Sequence, residues 1–339
     1  MTMNLSIGVL GTGFAGMHVQ RLLRLENVTV RAVCGTSEAK AQAFIEKHGA
    51  HTARPFGDFD AMLAQTPLDA LYVCIPPHAH RGQVERAAAR GIHLFLEKPI
   101  AFDIAGAERQ AEAIERAGVV SLVGHHHRFR ESVEAFKHLL DSGAVGPATL
   151  FQGRYWCNMT GSAWWRSSEG SRGQVFEQVI HIYDMALNFL GEPETVCAFT
   201  ANLVHRHIPD YTIEDTSAAI IRFKNGALAN IAGSNTALPR RYLGDFRIVA
   251  EKAVLDYHSA GQDTVIPPQA TLYDYRAEEP ALTQFTETRD PYMAETLEFL
   301  AAIQGQTAPR TPVQAGVLGI RLVSAVLESA ARGGHPVQI

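Results

Sequence analysis

Ser6-Ile7-Gly8-Val9-Leu10-Gly11-Thr12-Gly13-Phe14-Ala15-Gly16 is the stretch of this sequence that decides its fold. Its apolar residues predict a short buried strand, and Gly11, Gly13 and Gly16 have the spacing of a dinucleotide fingerprint. In that pattern the first glycine permits a tight turn, the second leaves room for a pyrophosphate, and the third lets the next helix pack closely. A helix predicted from residue 17 to about 25 starts with N–H groups that attract an anion. A second predicted strand, residues 28–34, completes a parallel βαβ unit.

Composition bounds the class of protein. The chain has 339 residues, of which 46% are hydrophobic, enough for two domains with good cores. The formal net charge is -5 and no basic tract occurs, so we expect no nucleic-acid partner. The longest apolar runs, such as residues 175–190, are interrupted by charges, so we expect no membrane-spanning segment.

Localisation is predicted from the start of the chain and from its cysteines. The N-terminus lacks a basic leader and a cleavage site, so we expect no secretory signal. The four cysteines are scattered through apolar runs without a C-x-x-C pair, which indicates buried thiols. A cytoplasmic protein is the expectation.

The end of the second strand bears on the choice of cofactor. An acid there normally binds the adenosine ribose and selects NAD. No acid occupies the three positions that follow the strand, Gly35, Thr36 and Ser37. A 2′-phosphate would meet hydroxyl donors here, with Arg31 or Lys40 as counter-charge, which favours NADP. Glu38 could still reach a ribose, so NAD stays open.

Two further segments follow predicted strands. The strand at residues 68–75 ends in Pro76-Pro77-His78-Ala79-His80, at the sheet edge where open α/β folds bind ligands. His80 either touches the cofactor or lies near a helix start. The strand at residues 93–96 ends in Glu97-Lys98-Pro99, which would project Lys98 over the nicotinamide site. The alternative is a surface lysine at a strand end, which the glycine loop makes the weaker interpretation.

These motifs resemble those of the glucose–fructose oxidoreductase, inositol dehydrogenase and rhizopine-catabolism (Gfo/Idh/MocA) family. The resemblance rests on Gly11-x-Gly13-x-x-Gly16, Pro76-Pro77-x-x-His80 and Glu97-Lys98-Pro99, in this order, and covers nearly the whole chain. Glu97-Lys98-Pro99 is the most specific of the three. The segment after the second strand is similar to that of NADP-using members. The predicted cofactor contacts are Gly11, Thr12, Gly13, Phe14, Ala15, Gly16, Gly35, Thr36, Ser37, Lys40, Pro76, Pro77, His80, Glu97 and Lys98.

The resemblance implies an α/β protein of two domains. Residues 1–124 would form a Rossmann dinucleotide-binding domain. Residues 125–339 would form an α+β domain for substrate binding and oligomerisation, with a large, mainly antiparallel sheet. In the family such sheets pair face to face between subunits, which implies a homodimer or homotetramer, and the last helix packs back on the Rossmann domain.

The second half opens with His125-His126-His127-Arg128. Adjacent side chains diverge on a regular element, and no partner cluster has zinc spacing, so we predict no metal site. The family has a similar run beside its substrate cleft. The resemblance therefore implies that His126 and Arg128 bind substrate.

A second cluster of polar residues lies between Ser171 and Gly191. Ser171 with Gln174 forms a capping-box pattern, which predicts a helix start. A polar stripe at helical spacing then runs along an otherwise apolar helix, at Glu177, His181, Asp184 and Asn188. An ordinary solvent-exposed face is the alternative, but the stripe lacks lysine and arginine. The pattern therefore favours the wall of a wet pocket.

The family carries the motif Gly-Gly-x-x-x-Asp-x-Gly-x-His-x-x-Asp in this place. His181 and Asp184 match it in register, Glu177 replaces the more common Asp, and Val179 replaces a glycine. We expect His181 to converge on Lys98 and either share a proton or hold a substrate hydroxyl. Asp184 either orients His181 or binds substrate, as Glu177 would. Upstream, Trp165 either closes a sugar site by stacking or packs under a loop.

We therefore predict an NAD(P)-dependent oxidoreductase that interconverts a secondary alcohol and a ketone on a sugar, polyol or related cyclic substrate. NADP(H) is favoured over NAD(H), Lys98 is the predicted general acid/base, and His181 and Asp184 complete the catalytic set. Two rivals stay open. One is a redox-assisted glycosidase with a tightly bound nucleotide, and the other is a non-catalytic sensor of nucleotide or sugar.

Overall fold

A computed structural model describes residues 4–237, 241–259 and 268–339. The chain divides into two compact units. The first comprises Met1–His126 and Asp290–Leu318, and the second comprises His127–Arg289 and Gly319–Ile339. The domain boundary that we expect at residue 124 stays a prediction.

The first unit contains a parallel sheet alternating with helices. Its elements up to residue 123 are β1 Leu5–Leu10, α1 Ala15–Leu22, β2 Val28–Cys34, α2 Glu38–His48, β3 Arg54–Phe56, α3 Phe59–Gln65, β4 Ala70–Val73, α4 Gln83–Ala88, β5 His93–Leu96, α5 Ile104–Ala117 and β6 Ser121–Val123. Among the described residues this sheet has six strands in the order β3-β2-β1-β4-β5-β6, and every pairing is parallel. That order is the Rossmann order, so the predicted dinucleotide-binding fold is confirmed.

The elements of the second unit, up to residue 286, are α6 Glu131–Asp141, β7 Ala148–Cys157, α7 Ala163–Arg166, α8 Ser168–Ser171, a π-helical turn Val175–Val179, α9 Ile180–Leu190, β8 Pro193–Ala201, β9 Thr216–Phe223, β10 Leu228–Ser234, β11 Tyr242–Ala250, β12 Ala253–His258, β13 Gln269–Asp274 and β14 Ala281–Thr286. The chain ends with α10 Pro291–Ile303, α11 Val313–Ala331 and β15 Val337–Gln338. The described strands from β7 onward form one sheet in the order β14-β13-β12-β11-β7-β10-β9-β8-β15. Its pairings are antiparallel except for β10 with β7, which confirms the predicted mainly antiparallel sheet.

Side-chain alternation separates the two faces of this second sheet. Along β9, buried and exposed residues alternate, as expected for a sheet with one covered face. The covered face packs on α9, where a side chain added at Gly153 would collide with Ile182. The other face keeps large apolar side chains in solvent, among them Phe199 at 64% and Ile220 at 62% exposed.

Two late helices contribute to the first unit. Asp290 caps α10 by accepting hydrogen bonds from the N–H groups of Tyr292 and Met293. Phe299 of α10 packs edge-on against Tyr72 of β4 and Phe95 of β5, with ring centroids 5.8 Å away in both cases. Tyr72 and Phe95 themselves stack at 4.4 Å. Helix α10, which lies far along the chain, therefore completes the core of the first unit.

α11 bears on the expectation that the chain has no membrane-spanning segment. It has 19 residues and is apolar enough, by length and composition alone, to cross a membrane, so that expectation stays a prediction. Of the 18 most apolar consecutive residues of this helix, 56% are buried within the protein. Buried core helices can be equally long and apolar, so the length and composition of α11 alone do not indicate a membrane span.

Candidate active site

The glycine loop after β1 has the geometry of a dinucleotide cradle. Gly11 adopts φ 109°, and a Cβ there would lie 2.2 Å from the carbonyl oxygen of Cys74, so only glycine fits. At Gly13 no described atom lies within 4 Å of the position a Cβ would take, which leaves the backbone open to a ligand. A Cβ at Gly16 would lie 2.5 Å from the ring of His48, so this glycine lets α1 pack against α2.

The segment after β2 is exposed and polar. The Gly35 N–H donates to the carbonyl oxygen of Phe56 at 3.0 Å, which fixes the turn. The Ser37 Oγ accepts the Lys40 N–H at 3.3 Å and caps α2. Thr36, Ser37 and Lys40 are all exposed, so the predicted cofactor contacts of this segment lie on the surface of the unit.

The tautomer of His80 follows from its neighbour Gln110. The Nε2 amide of Gln110 donates to the carbonyl oxygen of Ile100 at 2.9 Å and lies 3.2 Å from Nδ1 of His80. Burial lowers the pKa of His80 to about 4, so its ring is neutral at pH 7. Since Nδ1 accepts from Gln110, the ring proton lies on Nε2, which has no hydrogen-bond partner among the described residues. His80 therefore offers one buried N–H donor to a ligand.

Glu97 fixes the backbone at Lys98. One carboxylate oxygen of Glu97 accepts the Lys98 N–H at 3.1 Å, and the other lies 2.6 Å from Nε2 of His18. Glu97 is buried, whereas Lys98 is partly exposed. A Cβ at Gly124 would lie 3.0 Å from the Glu97 carboxylate, so glycine is favoured there.

The predicted cofactor segments of the first unit lie at one edge of its sheet. Gly11 follows β1, Pro76 follows the β4 segment, and Lys98 follows β5. These three strands are neighbours and parallel, so their carboxyl ends lie together, where open α/β folds bind ligands. The arrangement fits a nicotinamide dinucleotide, with the glycine loop open to its pyrophosphate.

His126 has a partner that the sequence reasoning missed. Its ring stacks on that of Tyr292 with centroids 4.4 Å apart and planes 22° from parallel. The guanidinium of Arg21 also lies over the Tyr292 ring, at 5.0 Å, and is paired with Asp290. The residue before α10 and the first turn of that helix therefore contact both His126 and Arg21 in the first unit.

The helix start predicted at Ser171 and Gln174 is wrong. The Ser171 Oγ donates to the carbonyl oxygen of Trp165 and accepts the N–H of Gly173, because the chain turns left-handed at Arg172 with φ 64°. The N–H of Val175 instead donates to the carboxylate of Glu214 at 2.6 Å. Burial raises the pKa of Glu214 to about 7, against the opposing effect of this hydrogen bond. A π-helical turn follows and leads into α9.

Trp165 positions Glu177. The indole N–H of Trp165 donates to the Glu177 carboxylate at 3.0 Å, while its ring is buried against Tyr211 and Ile213. Of the two alternatives for Trp165, packing under a loop is therefore observed, and the indole also holds a predicted substrate-binding side chain. A role for Trp165 in substrate binding stays a prediction.

His181 and Asp184 lie on α9 among polar and aromatic side chains of the second unit. The His181 ring is 5.5 Å from that of His127 and 6.3 Å from that of Tyr155, centroid to centroid. The Asp184 carboxylate accepts two hydrogen bonds from Arg128, at 2.9 and 2.6 Å. In the second unit, four of the predicted site residues therefore lie on α9, beside it or in the turn before it. They are His181, Asp184, Arg128 and Glu177.

Two family models match this chain, one in its first part and one in its second part. Residues 5–125 match the model of an oxidoreductase family with an NAD-binding Rossmann fold. Residues 133–256 match the C-terminal domain of the GFO/IDH/MocA family. The chain belongs to the Gfo/Idh/MocA family. The resemblance seen in the sequence is confirmed.

Relatives of this Gfo/Idh/MocA protein include dehydrogenases of sugars and inositol. It is 27% identical to myo-inositol 2-dehydrogenase from Thermotoga maritima, with 95% of each chain covered. It is 26% identical to D-xylose 1-dehydrogenase (NADP(+)) 2 from Haloferax volcanii, covering 96% of this chain and 97% of that one. A structure of levoglucosan dehydrogenase with NADH and levoglucosan superposes with a TM-score of 0.88 over 99% of both chains, at 18% identity. The family is one of NAD-binding oxidoreductases.

Several residues that shape the site of this Gfo/Idh/MocA protein have no local signal in the sequence. Gln110, Glu214 and Tyr292 act on His80, Val175 and His126 from 30, 39 and 166 positions away. Each reaches its partner only through the tertiary fold.

Proposed function

We propose that this protein is an NAD(P)-dependent oxidoreductase that interconverts a secondary alcohol and a ketone on a sugar, polyol or related cyclic hydroxylated substrate. When bound, the nicotinamide supplies the hydride chemistry at its C4 atom. The protein must bind both partners, hold the carbinol near the ring and move the hydroxyl proton. Lys98 is the proposed general acid/base for that proton.

The observation that carries this proposal is the place of Lys98 in the first unit. It directly follows β5, at the edge where Gly11 follows β1, and its backbone N–H is held by the buried Glu97 carboxylate. A ligand whose pyrophosphate lies on the glycine loop extends along this edge. The proposed cofactor contacts, including the His80 N–H donor, line the same edge.

The second unit would supply the substrate contacts. We assign His181 the role of sharing the proton or holding the reacting hydroxyl, and Glu177 that of accepting another hydroxyl. Because Arg128 and Asp184 are paired, their proposed role is to shape the wall beside His181. His126 is the proposed substrate contact of the first unit, backed by Tyr292.

NADP(H) is the proposed cofactor. Thr36 and Ser37 place exposed hydroxyls after β2, Lys40 is an exposed cation in the first turn of α2, and none of the three residues after the strand is acidic. The family binds NAD, and one similar relative, the xylose dehydrogenase of Haloferax volcanii, is named for NADP(+).

We also propose a cytoplasmic homo-oligomer, a dimer or tetramer assembled through the exposed face of the second sheet. Phe199 and Ile220 lie on adjacent strands of that face, beside Trp156 and Cys197. Burying such side chains against a second copy would remove an apolar patch from water.

A substrate screen tests the reaction. Sugars, inositols and other polyols are offered with NADP and with NAD, and reduction of the nicotinamide is followed by absorbance. We expect reduction with at least one polyol or sugar. Turnover of a glycoside with no net absorbance change and a retained nucleotide would instead establish the redox-assisted glycosidase. Nucleotide binding without turnover of any substrate would establish the sensor.

Lys98→Ala then tests the assignment of the proton. With the substrate found by the screen, we expect kcat to fall by roughly a hundred- to ten-thousand-fold, the usual contribution of general acid/base catalysis. The Kd for NADPH, measured by fluorescence, should stay nearly unchanged. Lys47→Ala, at an exposed position on α2, is the matched control and should keep full activity. Full activity in Lys98→Ala would refute the role of Lys98.

A further inference from the structure

Three ionisable side chains from three elements meet inside the first unit. His18 comes from α1, Glu97 follows β5 and Glu295 comes from α10, and they are 0%, 7% and 0% exposed. One nitrogen or oxygen from each lies within 4.8 Å of the other two. We call these three residues the buried triad.

Glu97 is the member of the buried triad with complete hydrogen bonding. Its carboxylate accepts from the His18 ring at 2.6 Å and from the Lys98 N–H at 3.1 Å. Two such bonds to a carboxylate fix its orientation. Glu97 therefore links the buried triad directly to the backbone of Lys98.

Glu295 has the opposite environment. Neither of its carboxyl oxygens has a hydrogen-bond partner among the described residues, and the side chain is fully buried. An ionised carboxylate in such a place would lose its hydration without compensation and would face the charge of Glu97. Burial and Glu97 accordingly raise the pKa of Glu295 well above its ordinary value, and Arg21 opposes them. The ionisable groups facing Glu295 are His18, Arg21, Tyr72, Cys74, Glu97, Asp290 and Glu298.

We propose that Glu295 carries a proton at neutral pH and that the buried triad acts as a positioning group for Lys98. A neutral Glu295 leaves Glu97 as the carboxylate that accepts from both His18 and Lys98. An ionised Glu295 would place a second buried negative charge within 4.8 Å of that carboxylate. The triad would then be forced apart, and the turn that carries Lys98 with it. The effect on Lys98 rests on the proposed function, whereas the protonation of Glu295 does not.

A bound cation is the competing explanation, since the three side chains are close enough to ligate one. The 2.6 Å between the His18 nitrogen and the Glu97 oxygen favours a proton, because that is the length of a charge-assisted hydrogen bond. Two ligands of one zinc ion, each bound at roughly 2.0 Å, stand farther apart than this.

Infrared spectroscopy of the full-length protein in D2O tests the protonation directly. Because burial also raises the pKa of Glu214 to about 7, the spectra are recorded at pH 7 in proteins that all carry Glu214→Gln, the parent of which serves as the wild type here. We expect the C=O stretching band of a buried, protonated carboxylic acid in this parent and its loss when Glu295→Gln is added. Glu298→Gln is the matched control on the same helix, because Glu298 is paired with Arg310 at 2.6 Å. That variant should keep the band. A wild type without the band, or a band that survives in Glu295→Gln and disappears in Glu97→Gln, would overturn the proposal.

Elemental analysis of the purified protein decides between proton and cation. We expect no stoichiometric metal in the wild type beyond the content of Glu295→Gln. One equivalent of metal in the wild type that is absent from Glu295→Gln would overturn the proposal in favour of the cation.

Two His18 variants test positioning. His18→Leu removes the donor to Glu97, whereas the amide of His18→Gln reaches the position of Nε2 and keeps a donor. We expect His18→Leu to lower kcat at least tenfold with a smaller change in the Kd for NADPH, and His18→Gln to restore much of the loss. Equal losses in both variants would reduce His18 to a packing residue and refute positioning. If Lys98→Ala kept full activity, the proposed function would fail, while the infrared result would still decide the state of Glu295.

Discussion

The guanidinium of Arg128 donates two hydrogen bonds to the carboxylate of Asp184, at 2.9 and 2.6 Å, and the Asp184 side chain is only 1% exposed. This is the fork-to-fork geometry that distinguishes arginine from lysine. Both residues match the sequence motifs that led us to place them at the substrate. The pairing means that each already has a charged partner before any substrate binds.

Removing the carboxylate of Asp184 should therefore lower the stability of the folded protein. We expect Asp184→Asn to lower the free energy of unfolding by about 3–5 kcal/mol, because a nearly buried guanidinium loses its counter-charge. Urea unfolding of the two proteins provides the measurement. Asp141→Asn breaks an exposed pair with Lys137 and should change the same quantity by less than about 1 kcal/mol. Equal values for both variants would mean that the buried pair contributes nothing special.

Trp165 should act on the substrate through Glu177. Trp165→Phe keeps most of the ring packing against Tyr211 and Ile213 but removes the indole N–H, a hydrogen bond to a charged group worth about 1.5–3 kcal/mol. We expect KM for the substrate to rise roughly tenfold or more, which corresponds to the lower part of that range. Trp164→Phe is the neighbouring control and should leave KM unchanged. An unchanged KM in Trp165→Phe would remove Glu177 from the substrate site.

Much of the fold could be predicted from the sequence, because the relevant signals are local. The glycine spacing, with a predicted strand before it and a helix and a second strand after it, led to the Rossmann sheet. The start of the helix before His181 could not be predicted in this way. Ser171 and Gln174 match a capping pattern, yet Glu214 supplies the cap from 39 residues away. A local pattern does not reveal a competing long-range acceptor.

The elements that carry the candidate site residues could be predicted from the sequence, whereas the partners of those residues could not. Lys98 and His181 follow from motifs, and the structure places each on the expected element. The tautomer of His80, the Arg128–Asp184 pair and the burial of Glu295 depend on tertiary neighbours. In the sequence Glu295 cannot be told from an exposed helical glutamate, because the residue type does not reveal whether the carboxyl group is buried.

The cofactor preference should respond to the residue that follows Gly35. Thr36→Asp places a carboxylate after β2, where it can accept from ribose hydroxyls and repel a 2′-phosphate. If NADP is the natural cofactor, the ratio of kcat/KM for NADP to that for NAD should fall at least tenfold, about 1.4 kcal/mol. Steady-state kinetics with both cofactors gives the ratio. Ala43→Asp, which adds the same charge at an exposed position of α2, is the control and should leave the ratio unchanged. A wild type that already prefers NAD would contradict the assignment.

Glu214 should make the stability depend on pH. Its pKa is raised from 4.5 to about 7 in the folded protein, so the folded state holds an extra proton between these values. The free energy of unfolding contributed by this group is therefore fully present below pH 4.5 and is lost as pH rises toward 7, by at most about 1.4 kcal/mol per pH unit. In Glu214→Gln this dependence should vanish, so the curve of unfolding free energy against pH becomes flatter. Glu169→Gln, at an exposed position of α8, should keep the wild-type slope. Identical slopes in all three proteins would show that Glu214 releases its proton at the ordinary pH.

The exposed face of the second sheet should determine the oligomeric state. Phe199→Glu and Ile220→Glu each place a charge among apolar side chains of that face. We expect either change to convert the assembly to monomers in light scattering after size exclusion. Leu297→Glu places a charge at an exposed apolar position of α10, in the other unit, and should leave the mass unchanged. A monomeric wild type would contradict the proposed assembly.

The return of the chain into the first unit has a consequence for biosynthesis. The ribosome completes the six described strands of the parallel sheet by Val123, yet Phe299, which packs on Tyr72 and Phe95, emerges only after the strands β7 to β14 of the second sheet. A nascent chain that has reached residue 289 thus carries all strands of the parallel sheet described here but lacks the helix whose Phe299 packs on Tyr72 and Phe95. Chaperone capture, or early nucleotide binding, has its longest opportunity during that interval.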